Sequence, residues 1–323
     1  MAKPRVLVTR RWPEAVEAQL ERDYDVTLNE ADVALTPADF REALSSYDAV
    51  LPTVTDQIGP DALDVSQAQT KILGNYGVGY SHIDEEAAKS LGLVVTNTPD
   101  VLSECTADIA MTLMLMAARR AGEGERELRE GRWTGWRPTH LVGTKVSGKT
   151  LGIIGFGRIG QEMARRAYHG FGMKILVQNR SQVAPEILAQ TDAVQVDSLN
   201  ELLPQCDFLS LHCPGGAANR HLINAERLDL MKSDAFVINT ARGEVVDDAA
   251  LALALNAGTI GGAGLDVFEG EPQINPDLLQ CPNLVMLPHL GSATRETREA
   301  MGFRVLDNLR DFFEGREPRD RVI

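Results

Sequence analysis

Little in this sequence is arranged to cross-link the chain, to anchor it in a membrane or to attract a polyanion. Only four cysteines, Cys105, Cys206, Cys213 and Cys281, occur in 323 residues. None forms a C-x-x-C pair and no His/Cys cluster has zinc-ligand spacing, so neither a disulfide framework nor a metal site is expected. The scattered spacing fits a reducing compartment. Long apolar runs are also missing. A bilayer helix needs about 20 apolar residues. The most apolar helix candidate, Ile109–Ala118, is ten residues long and contains Thr112. The amino-terminus has a three-residue apolar run, Val6–Val8, before Thr9, too short for the core of a secretory signal. The expected location is therefore the cytoplasm. Positive charge is scarce as well. The formal net charge is −14, which repels nucleic acid and anionic membrane and leaves room only for a local basic pocket.

What is present suits a larger globular protein. At 323 residues, 44% apolar and 24% charged, the chain is expected to form two domains. Arg5–Thr9, Asp25–Leu28, Ala49–Thr53, Lys71–Asn75 and Val94–Asn97 read as strands. The stretches from Pro13, Pro37, Pro60 and Ile83 read as the helices between them. A second alternation starts near Leu151. Its strands are Leu151–Gly155, Lys174–Gln178, Phe208–Cys213, Ala235–Thr240, Gly261–Val267 and Asn283–Pro288, with helices following Gly160, Ser198, Asn224 and Asp247. Such alternation predicts parallel sheets covered by helices on both faces. A helix from Ser103 to about Ala121 and another from Thr294 to Phe313 read as the joins. The predicted domains are 1–101 with 290–323, and 102–289. The stretch from Gly122 to Gly148 is predicted to be the one long irregular connection, and such connections are usually functional or disordered.

The strongest local motif is Leu151-Gly-Ile-Ile-Gly155-Phe-Gly157-Arg158-Ile159-Gly160. It is an apolar strand, a G-x-G-x-x-G turn, then a helix. Gly155 permits the tight turn, Gly157 lets backbone approach a pyrophosphate, and Gly160 allows close helix–strand packing. The helix start favours an anion. About 20 residues further on, an NAD site normally carries an acid for the ribose hydroxyls. Here the strand ends in Asn179-Arg180-Ser181. Donors and a positive charge in that place favour the 2′-phosphate of NADP(H) over NAD(H).

Three further strand ends carry groups with chemical potential. Arg242 follows Ala235–Ala241, Asp266 and Glu271 follow the strand from Gly261, and His289 follows Leu287-Pro288. Singly, each has an ordinary structural explanation. Together they suit reduction of a 2-oxo acid, in which hydride addition creates alkoxide character that needs a proton donor and a nearby cation. Arg242 can clamp the carboxylate and polarise the carbonyl, and His289 can donate the proton. Glu271 beside His289 would stabilise its protonated form.

Gly-Phe-Gly-Arg-Ile-Gly (155–160), Asn-Thr-Ala-Arg-Gly (239–243), Gly-Leu-Asp-Val-Phe (264–268), Glu271-Pro272 and Pro-His-Leu-Gly-Ser-Ala-Thr (288–294) resemble the D-isomer-specific 2-hydroxyacid dehydrogenases across essentially the whole chain. Trp133-Thr-Gly-Trp136-Arg-Pro138 and Val101–Asp108 are similar to stretches of the glyoxylate/hydroxypyruvate reductase branch. The resemblance implies an α/β fold of two doubly wound parallel-sheet domains, a Rossmann cofactor domain inserted into a flavodoxin-like substrate domain. It implies Arg242, Glu271 and His289 as the catalytic set. On the cofactor side it adds Thr106, Cys213, Pro214, Asn219, Thr240, Ala241, Asp266 and Gly291. Asp266 would meet the nicotinamide carboxamide. On the substrate side it adds Val78 and Gly79, whose amides would receive a carboxylate, and Ser292. It also implies a homodimer held through an arm near 122–148, with Trp136 reaching the partner. One departure stands out. After Cys213-Pro214 the family usually has Leu-Thr, and this chain has Gly215-Gly216. Formate oxidation fits poorly, because formate dehydrogenases of this family carry glutamine at the position of Glu271. Phosphite oxidation and nucleotide sensing of the corepressor type remain open. A methyltransferase would leave Arg242, Glu271 and His289 without a role.

Overall fold

In the computed structural model, which describes residues 2–323, the chain forms two compact units. The first runs from the amino-terminus to Leu102 and includes Ala293–Ile323; the second is Ser103–Ser292. The sequence put the second crossing after His289, and the structure puts it after Ser292.

The first unit holds β1 (Arg5–Val8), β2 (Asp25–Leu28), β3 (Ala49–Leu51), β4 (Ile72–Gly74) and β5 (Val94–Thr96). They form one parallel sheet in the order β2-β1-β3-β4-β5, the flavodoxin-like order. Its helices are α1 (Glu14–Asp23), α2 (Pro37–Ser46) and α3 (Glu85–Ser90), with a long carboxy-terminal helix described below. The helix starts follow local chemistry. Thr36 and Asp39 form a reciprocal capping box ahead of α2, and Asp84 caps α3 through the Ala87 N–H. One predicted helix is absent. After Pro60 the chain makes a single turn, with the Ala62 and Leu63 amides returning to the Gly59 carbonyl. The Gln69 and Thr70 amides donate to the Leu44 carbonyl instead of continuing a helix. Ala62, Leu63 and Ala68 are buried all the same, which explains why their pattern mimics a helix.

The second unit opens with α4 (Ser103–Ala118) and α5 (Ala121–Arg129). Seven parallel strands follow: β6 (Thr150–Ile154), β7 (Lys174–Gln178), β8 (Val194–Gln195), β9 (Phe208–Leu211), β10 (Phe236–Asn239), β11 (Gly262–Leu265) and β12 (Leu284–Met286). Their order is β12-β11-β10-β9-β6-β7-β8. Between them run α6 (Arg158–Arg165), α7 (Pro185–Leu188), α8 (Leu199–Leu202), α9 (Ala225–Leu228) and α10 (Asp248–Ala257); α11 (Arg295–Phe313) belongs to the first unit. The strand order reverses between β6 and β9, the switch point where doubly wound sheets bind ligands. Both faces are covered. Met114, Ile153 and Phe208 lie in the core on the α4 and α6 side; Leu209, Val237 and Leu251 lie in the core on the α10 side.

Sequence reading missed the two-residue edge strand β8 and the one-turn helix α7. It also took Gly122–Gly148 as irregular throughout, whereas α5 occupies its first turns. That helix has no buried residue, so apolar periodicity could not show it. It is supported by Arg120–Glu123 and Arg129–Glu125 pairs at helical spacing.

Candidate active site

The glycine turn sits at the switch point. Gly155 has φ +87°, a backbone region that favours glycine, and a Cβ there would meet Cys213 N at 2.6 Å. The turn after β6 is therefore pressed against the chain leaving β9. A Cβ at Gly160 would lie 2.3 Å from the Gly155 carbonyl oxygen, so α6 packs on the turn only because residue 160 has no side chain. In front of Gly157 there is open space, and Gly157 starts α6 without a side-chain cap. The positive helix start thus faces a cradle that a pyrophosphate would fill. Arg158 and Ile159 form the first turn of α6.

At the end of β7, Asn179 Oδ1 accepts the Phe156 N–H at 3.1 Å, while its Nδ2 donates to the Ser181 carbonyl at 3.0 Å and to Ser181 Oγ at 3.2 Å. Asn179 and Ser181 are thereby fixed beside the glycine turn. Arg180 is exposed, with no ion pair among the described residues. On the other side of the switch point, Cys213 is buried and Pro214 accepts from Asn219 Nδ2 at 2.9 Å. Burial pushes the Cys213 thiol up to about 11, which makes it an inert packing group. At the end of β10, Thr240 Oγ1 is buried without a hydrogen-bond partner, and Ala241 N–H is held by Asn239 Oδ1 at 2.9 Å.

The three catalytic candidates lie at carboxyl-side ends of the same sheet, and the structure brings them together. His289 Nδ1 and Glu271 Oε2 are 2.8 Å apart, and Glu271 Oε1 accepts the Phe268 N–H at 2.8 Å. His289 has φ +55°, uncommon for a residue with a side chain. Its backbone N–H donates to the Asp266 carbonyl at 2.9 Å. The Asp266 carboxylate, only 1% exposed, takes the Leu290 and Gly291 amides at 2.7 Å each. Asp266 thus clamps the turn that carries His289, and each of its oxygens keeps a second lone pair for a further donor. Burial pushes the Asp266 carboxyl up, against the pull of those amides and of His289. Thr106 borders the same spot, since a Cβ at Gly291 would lie 3.3 Å from Asp266 Oδ2 and 3.4 Å from Thr106 Oγ1. Ser292 closes this unit.

Arg242 stands one strand away. Its Nη1 donates to the Ala241 carbonyl at 2.7 Å, and it forms no ion pair among the described residues. Burial pulls the guanidinium down, and the charges of Glu244 and Glu271 pull it back up. Gly243 places this turn flush on the Phe268–Glu269 backbone, because a Cβ there would lie 1.9 Å from Phe268 C. Burial also raises Glu271. The His289 hydrogen bond, together with the charges of His289 and Arg242, outweighs it, and the Glu271 carboxyl lies below its ordinary value. Sequence reasoning overlooked two supports of this arrangement. Asn239 braces the turn on both sides, donating to the Arg242 carbonyl at 2.9 Å. Glu244 reaches the loop after β9.

The predicted substrate loop belongs to the first unit. Asn75 Nδ2 holds the Gly77 and Gly79 carbonyls at 3.0 Å each, and Asn97 Nδ2 holds the Val78 carbonyl at 2.8 Å. With its carbonyls tied back, the loop leaves the Val78 and Gly79 amides able to receive an anion. Among the described residues no group of three His, Cys, Asp or Glu side chains is arranged to hold a metal ion, and no helix is long and apolar enough to cross a membrane. A separate cavity of about 530 Å³ opens near the amino-terminal ends of β10, β11 and β12, among Met116, Arg120, Asp234 and Asn283. It contains none of the predicted site residues.

A parallel sheet with a glycine-lined anion cradle at its switch point and an acid–base pair carried beyond β11 and β12 defines a dinucleotide-dependent oxidoreductase. Comparison with known proteins makes the class narrower. Residues 111–291 match the sequence model described as the NAD-binding domain of D-isomer specific 2-hydroxyacid dehydrogenases. A glyoxylate reductase of Thermococcus litoralis is 44% identical over 99% of this chain and 97% of its own. A glycerate dehydrogenase of Hyphomicrobium methylovorum is 39% identical over 98% of both chains. The crystal structure of an NADPH-dependent glyoxylate/hydroxypyruvate reductase from Sinorhizobium meliloti, in complex with NADP and malonate, superposes with a TM-score of 0.86 at 36% identity, covering 99% of this chain and 97% of that one. This chain belongs to the D-isomer-specific 2-hydroxyacid dehydrogenases. It is an enzyme of that family with a nicotinamide cofactor.

Proposed function

We propose that the protein reduces glyoxylate or hydroxypyruvate to the 2-hydroxy acid, with NADPH preferred and with Arg242, Glu271 and His289 as its catalytic residues. The observation that carries this reading is a half-buried guanidinium without an ion pair, beside a carboxylate–imidazole pair. A cation in that setting calls for an external anion, and a 2-oxo acid brings one next to its carbonyl. Arg242 binds the carboxylate and draws electron density toward the carbonyl oxygen. Glu271 occupies His289 Nδ1 and so fixes the ring, leaving Nε2 to hold the proton. A reduced nicotinamide cofactor, when bound in the cradle, would supply the hydride that the carbonyl carbon needs. His289 Nε2 gives its proton to the carbonyl oxygen, and solvent restores it. Gly155, Gly157, Arg158, Ile159 and Gly160 would cradle the pyrophosphate. Thr106, Asp266 and Gly291 would border the nicotinamide, as would Thr240 with its unpartnered hydroxyl.

NADPH preference rests on Asn179-Arg180-Ser181, where no carboxylate stands to repel a 2′-phosphate and Arg180 is uncommitted. The NADPH-dependent relative from Sinorhizobium meliloti accords with it. A homodimer is supported by the concentration of exposed apolar side chains in one segment, with Leu128 60%, Trp133 51%, Trp136 82% and Val142 65% exposed.

The test is steady-state reduction of a panel of 2-oxo acids with NADPH and NADH side by side. Fast turnover of glyoxylate or hydroxypyruvate is expected, with kcat/KM about tenfold or more higher for NADPH. Arg180→Ala should remove that preference and leave NADH turnover unchanged. A parent enzyme that prefers NADH would overturn the cofactor assignment alone. Inactivity toward every oxo acid would overturn the whole reading.

A further inference from the structure

We infer that Glu244 is a positioning residue for Arg242, and that Gly215-Gly216 is the seat its carboxylate requires. The inference rests on the reading of Arg242 as the group that takes the substrate carboxylate. Glu244 lies on the short turn Gly243–Val245 immediately after Arg242, and its backbone carbonyl accepts the His221 N–H at 2.7 Å. Its side chain turns back across Arg242. Glu244 Oε1 accepts the Gly216 N–H at 3.1 Å. A Cβ at residue 215 would fall 2.2 Å from that same Oε1, 2.9 Å from Arg242 Cγ and 3.2 Å from Arg242 Cβ. The carboxylate and the arginine stem therefore press side by side on the bare face of Gly215. Residue 216 has φ +95°, a conformation that a residue with a side chain rarely adopts. A side chain at 215 would fill this seat, and one at 216 would meet open space but be strained by its φ.

The geometry settles a competition. A carboxylate two residues from an unpaired arginine would ordinarily fold onto its guanidinium, and that pairing would remove the charge the substrate needs. Here the Gly216 amide holds the carboxylate toward the loop. Glu244 and Arg242 form no ion pair, although the Glu244 charge still favours the cation. Glu244 thus braces the arginine stem and leaves the guanidinium open.

The experiment compares Glu244→Ala, Glu244→Gln and Gly215→Ala with the parent, using the 2-oxo acid that the parent reduces fastest. KM and kcat are measured together with the nucleotide dissociation constant, read from quenching of tryptophan fluorescence, and the melting temperature. Glu244→Ala should raise KM for the oxo acid on the order of tenfold. Its kcat and nucleotide dissociation constant should stay within about threefold, and its melting temperature should be unchanged. Glu244→Gln should recover most of the loss, because an amide oxygen still accepts the Gly216 N–H. Gly215→Ala should follow Glu244→Ala, since it takes the seat away. The inference is overturned if Glu244→Ala keeps the parent KM, if Glu244→Gln is as impaired as Glu244→Ala, or if the loss falls on nucleotide binding. Arg242→Ala is the control. Full activity in that variant would remove the underlying reading of Arg242, whereas an impaired Arg242→Ala beside an unaffected Glu244→Ala would remove only the role of Glu244.

Discussion

His212 and His289 each stand just beyond a strand of the same parallel sheet, after β9 and β12, and their surroundings give them opposite characters. His212 Nε2 meets Ser210 Oγ at 2.9 Å, its Nδ1 is buried without a partner, and no carboxylate pairs with it. Burial pushes its imidazole down to about 3, which favours the neutral ring. His289 has Glu271 at 2.8 Å on Nδ1, an open Nε2 and Arg242 in the neighbourhood. On the proposed reading, the same residue type at equivalent strand ends is a packing group in one place and the proton donor in the other. The difference lies in a carboxylate contributed by a different turn. Position in the sheet supplies the opportunity, and the partner decides the chemistry.

That contrast can be broken from the His289 side first. Arg242→Ala removes the cation and should lower kcat/KM for the oxo acid by about 10³-fold, with nucleotide binding nearly unchanged. Steady-state kinetics beside a nucleotide titration checks it. Glu271→Gln keeps a polar partner for His289 but loses the charge, and should cost about 10- to 100-fold in kcat. It also carries a pH signature. Because the folded-state value of Glu271 lies below its ordinary 4.5, its stabilising contribution is present above that ordinary value and disappears as pH falls through the lowered one. The melting-temperature gap between parent and Glu271→Gln should therefore be open at pH 7 and close on acidification as the pH falls below 4.5 and through the lowered Glu271 value. From the other side, His212→Gln leaves a donor for Ser210 Oγ and should change kcat by less than about threefold, with no change in the pH–rate profile. A large loss there would show that the two strand ends are not as different as their surroundings indicate.

Much of this was legible in the sequence because it is local. The glycine turn, the strands on either side of it, and the placement of Arg242, Asp266, Glu271 and His289 at strand ends all follow from short patterns read in order. The two doubly wound sheets follow from the alternation itself. The supports of the site were less legible. Asp266 holds the Leu290 and Gly291 amides from 24 and 25 residues away, and Glu244 reaches Gly216 across 28. Such bonds leave no periodic trace, and the positive φ of His289 has none of the usual glycine signal. Helix α5 was missed for the opposite reason. Its support is charge pairing on a surface with no buried face, so a search for apolar spacing passes over it.

The central claim is that His289, held by Glu271, supplies the proton for carbonyl reduction. A stopped-flow single turnover of reduced nucleotide and oxo acid on His289→Ala, with the nucleotide dissociation constant measured in parallel, tests it most directly. The account predicts oxidation of the nucleotide slowed by about 10³-fold while its affinity stays within about threefold. Single-turnover oxidation within tenfold of the parent, at equal nucleotide affinity, would contradict it.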